Sequence, residues 1–156
     1  MAGISRYGVL VADGGANDVL KVNPWTGKVS TFFVPPTVKD VAACLQPGAQ
    51  NNPGTVGCDP VPTGIAVTRS GTIYVSEVLH GAPEGDGPPP PGFDPSSVGR
   101  ITRIGCHGHV SHAQVTMPVG LSLSGGRLYS TAWSIAGQLG IPSAGQIVQV
   151  RPWAFH

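Results

Sequence analysis

The chain has 156 residues, 40% of them hydrophobic and only 11% charged, with a formal net charge of +1. A single domain of this length hides roughly two-thirds of the surface its unfolded chain exposes, and so small a net charge offers no basic field for a polyanion, so nucleic acid is excluded as an expected partner. With 23 Gly and 16 Pro in so apolar a chain, many short strands joined by turns are expected, and no apolar run reaches the ~18 residues of a membrane helix.

The opening Met1-Ala-Gly-Ile-Ser-Arg-Tyr7 has no basic stretch followed by an apolar core, so either the mature protein begins here or an upstream part is missing. Gly8-Val-Leu-Val-Ala-Asp13 is the first of three similar phrases, each a strand entered through a turn. Asp18-Val-Leu-Lys-Val-Asn23 alternates strictly and leads through Pro24-Trp-Thr-Gly27 into a further strand, Lys28–Val34. Over Thr37–Gln46, helical spacing of Val38, Val41, Ala42 and Leu45, with Thr37 as cap and Pro47-Gly48 as stop, predicts one short helix in a loop.

The pattern then returns. Thr63–Arg69 and the second phrase, Gly71-Thr-Ile-Tyr-Val-Ser-Glu77, form a hairpin; Gly99–Ile104 and His109–Val115 add a third and fourth strand. Val119–Ser124 and the third phrase, Gly126-Arg-Leu-Tyr-Ser-Thr-Ala132, repeat the hairpin, and Gly145–Val150 supplies a third strand. The repeating unit is four antiparallel strands, the signature of propeller blades. The expected fold is all-β, a single partial β-propeller over residues 1–156, with blades at about 7–34, 63–116 and 119–152 and loop insertions at 35–62 and 79–98. The first blade is expected to lack its opening strand and the third its fourth, ten strands in all. Three blades make half of a six-bladed ring, so further sequence, a protein partner or a second copy must complete it.

Alternating strand directions sort the connections onto two ends. Tight turns at Trp25-Thr26, Arg69-Ser70, Cys106-His107 and Ser124-Gly125 fall on one, and the long segments Pro35–Pro62, Leu79–Val98 and Ser134–Ala144 on the other, the expected functional face. Within the second segment, Gly87-Pro-Pro-Pro-Pro-Gly92 reads as a stiff, soluble Pro-rich loop, with docking as a polyproline rod the alternative.

Few residues carry chemistry. Cys44 and Cys58 share one loop, and a bridge between them closes about 15 residues and points to an oxidising compartment; two unrelated thiols are the alternative. Cys106 has no obvious partner. The tract Cys106-His107-Gly108-His109-Val110-Ser111-His112 has metal-ligand composition, yet His109 and His112 fall on opposite faces of a strand, which favours surface histidines. Gly120-Leu-Ser-Leu-Ser124 lacks the final Gly and the strand-to-helix context of a nucleophile elbow. Asn17, Asp18, Asp59 and Glu77 lie at strand ends on the long-loop side, where oxygen ligands suit a cation such as Ca²⁺, although capping of turns is the commoner role of such residues. Trp133 fits packing between blades better than a channel mouth.

Val11-Ala-Asp-Gly-Gly-Ala-Asn-Asp-Val-Leu-Lys-Val22 and Val61-Pro-Thr-Gly-Ile-Ala-Val67, with Gly71–Leu79, resemble the ScyD/ScyE family, propeller-like proteins named for the scytonemin gene cluster of cyanobacteria. The likeness runs through most of residues 7 to 150 and matches the second half of such a protein. It implies export, agrees with a loop disulfide and carries no catalytic residues. The insertion Ala43–Asp59 and the Pro-rich Glu84–Ser97 depart from the family's usual connections.

The expected function is therefore a secreted, non-catalytic propeller that binds a partner or builds an extracellular assembly through its long-loop face. The alternatives are a metal-dependent hydrolase of the lactonase or strictosidine-synthase-like kind, by analogy of fold, and an accessory protein of pigment or other secondary-metabolite synthesis.

Overall fold

Alternating apolar residues between Gly-rich turns fold as strands throughout the computed structural model, which describes residues 2–5, 8–45, 56–79 and 99–156. Eleven strands are present among these residues. β1 (Ala2–Ser5), β2 (Gly8–Asp13), β3 (Asp18–Val22) and β4 (Val29–Phe33) form the first antiparallel sheet, in chain order. β5 (Pro60–Val67), β6 (Ile73–Leu79), β7 (Arg100–Ile104) and β8 (Val110–Gln114) form the second in the same order. β9 (Leu121–Ser124), β10 (Arg127–Ala132) and β11 (Gln146–Val150) form the third, with β10 in the centre.

The second sheet lies between the other two, and its period-two pattern is the reason. Ile65, Ile73, Val75 and Ile104 pack against Leu10 and Val19 of the first sheet. Ala66, Ile101 and Ala113 point the opposite way and pack against Leu128 and Val150 of the third. Full burial of a side chain such as Leu10 or Ile101 stabilises the fold by about 1.5–3 kcal/mol. The junction turns on β5, which touches β1 and β2 on one side and β9 on the other.

Gly64 permits the close approach to the third sheet: a Cβ there would lie 2.5 Å from the Val119 carbonyl oxygen and 2.7 Å from Ser76 Oγ. Beside it the Thr63 hydroxyl donates to the Pro118 carbonyl at 2.9 Å, and Ser76 Oγ donates to that of Val119 at 3.1 Å. These hydroxyls tie the second sheet to the crossover that enters the third. At the far end of the chain, residues 151–156 return to the second sheet, where His112 and His156 exchange two main-chain hydrogen bonds of 2.9 and 3.0 Å on the β8 edge.

Three expectations change. The first sheet does not lack its opening strand: β1 pairs with β2 from Ala2 opposite Val11 to Ser5 opposite Gly8, giving eleven strands rather than ten. Thr37–Leu45 is not an α-helix. Val38 forms an antiparallel bridge with Cys58, and only Ala42–Leu45 closes a turn of 3-10 helix, because strand-like pairing beside the disulfide captures the segment. Last, the β9–β10 turn is Gly125-Gly126, one residue later than predicted, with φ of 55° and 74° at its two glycines. The Pro-rich loop, and residues 46–55 of the first insertion, lie outside the described residues.

Candidate functional site at the long-loop end

Strand register decides which polar residues meet at the long-loop end. On β6 and β7, Ile73 stands opposite Ile104, so Glu77 stands opposite Arg100. Glu77 is completely buried, and Arg100 Nε donates to its Oε2 at 2.6 Å while Nη2 of the same guanidinium donates to the Pro36 carbonyl. Oε1 of Glu77 has no hydrogen-bond partner among the described residues. Burial pushes the Glu77 carboxyl above its ordinary range, and the charge and hydrogen bond of Arg100, with a smaller contribution from the Thr102 hydroxyl, pull against that shift.

Asp59, also buried, accepts a hydrogen bond from Thr37 Oγ1 at 3.2 Å. Just before it, Cys58 is joined to Cys44 with Cα atoms 4.9 Å apart, so the expected bridge is present. Both half-cystines are buried with Val38 and Leu79, which anchors this connection to β6. The disulfide thus holds the segment that carries Thr37 and Pro36 against the Glu77–Arg100 pair.

Of the two acidic residues flanking the β2–β3 turn, Asp13 bonds within the turn and Asp18 reaches across to β4. Asp13 Oδ1 accepts from the Gly15 and Ala16 amides at 2.9 and 3.3 Å, and Asp18 Oδ2 accepts from Thr31 Oγ1 at 3.2 Å. Asn17 occupies the left-handed region at φ 55°, a conformation that asparagine tolerates better than most residues.

Of the three candidate ligands for Ca²⁺, then, Asn17 shapes a turn, Asp59 bonds to Thr37 and Glu77 is engaged by a guanidinium. Among the described residues no three His, Cys, Asp or Glu side chains gather as a metal-binding group. His107 and His109 are exposed in the β7–β8 turn region with Cys106, whereas His112 sits on β8 with Nδ1 3.0 Å from Thr102 Oγ1. Burial lowers the His112 pKa, the charge of Arg100 lowers it further, and Asp40 acts in the opposite sense. Trp133, at φ 57°, is half-buried against the cluster of Val78, Met117 and Ala136. In place of an elbow, Ser122 and Ser124 are exposed on the edge strand β9.

The Glu77–Arg100 pair was missed from the sequence. The signal was there: aligning the second phrase with Gly99–Ile104 as neighbouring antiparallel strands places residue 77 opposite residue 100. No helix among the described residues is long and apolar enough to cross a membrane. Comparison with protein-family models and with curated proteins gives no match for this chain.

Proposed function

We propose that the chain is a section of a β-propeller of the ScyD/ScyE type, acting as a secreted, non-catalytic binding and assembly module that a second copy completes. The observation that carries this reading is the outer face of the first sheet, which joins no core cluster among the described residues. Opposite the face of Leu10 and Val19, the register stacks Val9 against Val22 and Val11 against Leu20, and Val22 against Val29. The first four are half-buried and belong to no core cluster, and Val29 is 53% exposed. An aliphatic sheet face of this kind marks an interaction surface.

The molecule already covers such faces twice, first sheet on second and second on third, which argues that a further sheet of the same kind is the occupant. The outer face of the third sheet carries Tyr129 and Ile147, the latter 80% exposed. Two copies arranged head to tail put each first sheet on the partner's third sheet and bring six sheets around one axis, within the range that closes a ring. The Cys44–Cys58 bridge supports an oxidising, extracellular setting.

Light scattering behind a sizing column tests this. The native chain is expected to elute as a discrete species of twice the chain mass, and Leu20→Lys, which puts a charge on the shared face, as a folded monomer. A native chain that is monomeric and folded at high concentration would overturn the proposal.

A further inference from the structure

The net charge of +1 conceals a strong segregation. Every described acidic residue, Asp13, Asp18, Asp40, Asp59 and Glu77, stands at the long-loop end of its strand or in the connections there. Of the eight described cations, Lys39 and Arg100 share that end, whereas Lys21, Lys28, Arg69, Arg103, Arg127 and Arg151 stand at the opposite end, at or beside the tight turns and the end of β11.

Three of these cations converge. Between the second and third sheets, at the tight-turn end, a cleft of about 850 Å³ is lined by Arg69 of the β5–β6 turn, Arg127 at the start of β10 and Arg151 just after β11. All three are exposed, and none of their guanidiniums has a hydrogen-bond or ion-pair partner among the described residues. The cleft walls are apolar: Tyr74 and Leu128 come from the facing sheets, and Phe155 lies against Tyr74 with ring centroids 5.5 Å apart. Phe155 is held there by the return of the C-terminal segment to β8.

We infer that this cleft is a binding site for a small organic phosphate or sulfate ester with an apolar, ring-bearing body. The charge argument is direct: three arginines and no acidic residue line the cleft, so it favours an oxyanion. The cations are all arginine, whose planar fork pairs bidentately with phosphate and sulfate oxygens. The volume lies within the range of small-molecule sites, and Tyr74 and Phe155 offer aromatic surface to a flat ligand body. The site lies within one chain, so it does not depend on completion of a ring.

The test uses the full chain, isothermal calorimetry and three probes: 1-naphthyl phosphate, 1-naphthol and inorganic phosphate. The naphthyl phosphate is expected to bind, more tightly than inorganic phosphate by at least tenfold, with 1-naphthol weakest of all. Arg127→Ala and Arg151→Ala each weaken the naphthyl phosphate by roughly tenfold, the scale of one charge-assisted hydrogen bond, while Arg103→Ala, outside the cleft, leaves it unchanged. Both cleft arginines are exposed, and a circular-dichroism melt confirms that their variants fold. Naphthyl phosphate that fails to bind at millimolar concentration, that binds no better than 1-naphthol, or that binds both arginine variants as tightly as the native chain overturns the assignment.

Discussion

The two ends of the strands use polar residues in opposite ways. At the long-loop end Asp13, Asp18, Asp59 and Glu77 each engage an amide, a hydroxyl or a guanidinium through at least one oxygen, although Asp18 Oδ1 and Glu77 Oε1 find no hydrogen bond among the described residues, and a disulfide fixes the connection that carries some of these partners. At the tight-turn end the chain reverses through short turns with local hydrogen bonds, such as Asn23 Oδ1 accepting from the Trp25 and Thr26 amides, and Arg69, Arg127 and Arg151 are left uncommitted. Long loops rich in acidic residues attract a functional reading, yet here those residues hold the structure. The plain end keeps its charge available.

The largest break in that contrast is expected from Arg100→Ala. It leaves Glu77 buried without its counter-charge, which costs about 3–5 kcal/mol at neutral pH. Because the folded-state pKa of Glu77 is raised, its contribution to stability is fully present below the unfolded value of 4.5 and is lost as pH rises through the folded value. Removing Arg100 raises that folded value further, so the penalty in urea denaturation should shrink markedly when measured near the unfolded value. The double variant Glu77→Leu/Arg100→Met should recover most of the loss; if it does not, the pair is not the cause.

This pair also shows how far the sequence can be read. The three glycine-led phrases marked β2, β6 and β10, because a central strand flanked by turns repeats its alternation wherever it occurs. β1 escaped because Ala2–Ser5 is four residues long, two of them Gly and Ser, too short for the alternation of Ala2 and Ile4 to stand out; only the hairpin partner preceding the other two phrases implied it. The helix predicted over Thr37–Gln46 failed for a tertiary reason, since the bridge from Val38 to Cys58 outweighs local periodicity. The arginine cleft was not legible at all. Its three members come from separate turns, and only the stacking of the second and third sheets brings them together.

A smaller effect should follow from opening the disulfide. Cys58→Ser with Cys44→Ser releases a loop of sequence separation 14 and is expected to cost about 3 kcal/mol by the loop-entropy argument, lowering the melting temperature while leaving the tight-turn end and anion binding intact. Loss of anion binding alongside would mean that the two ends are not independent.

At the junction itself, Gly64→Ala forces a Cβ against the Val119 carbonyl and should destabilise by about 1–3 kcal/mol. The smallest expected change concerns His112. Its folded-state pKa is depressed, so its contribution to stability is present above the unfolded value of 6.5 and is lost as pH falls through the folded value. His112→Gln should flatten that slope by a few tenths of a kcal/mol, the group being partly solvated; an unchanged slope in denaturation at several pH values would assign it elsewhere.

The claim that a second copy covers the first sheet is tested most directly by the reactivity of a thiol placed on that face. With Cys106→Ser as background and Leu20→Cys as the probe, alkylation is expected to slow as protein concentration rises and the dimer forms, while a control thiol at Ser124 reacts at a constant rate. A Leu20→Cys thiol that reacts as fast as the control at every concentration would show that the face stays open, and would contradict completion of the ring by a second copy.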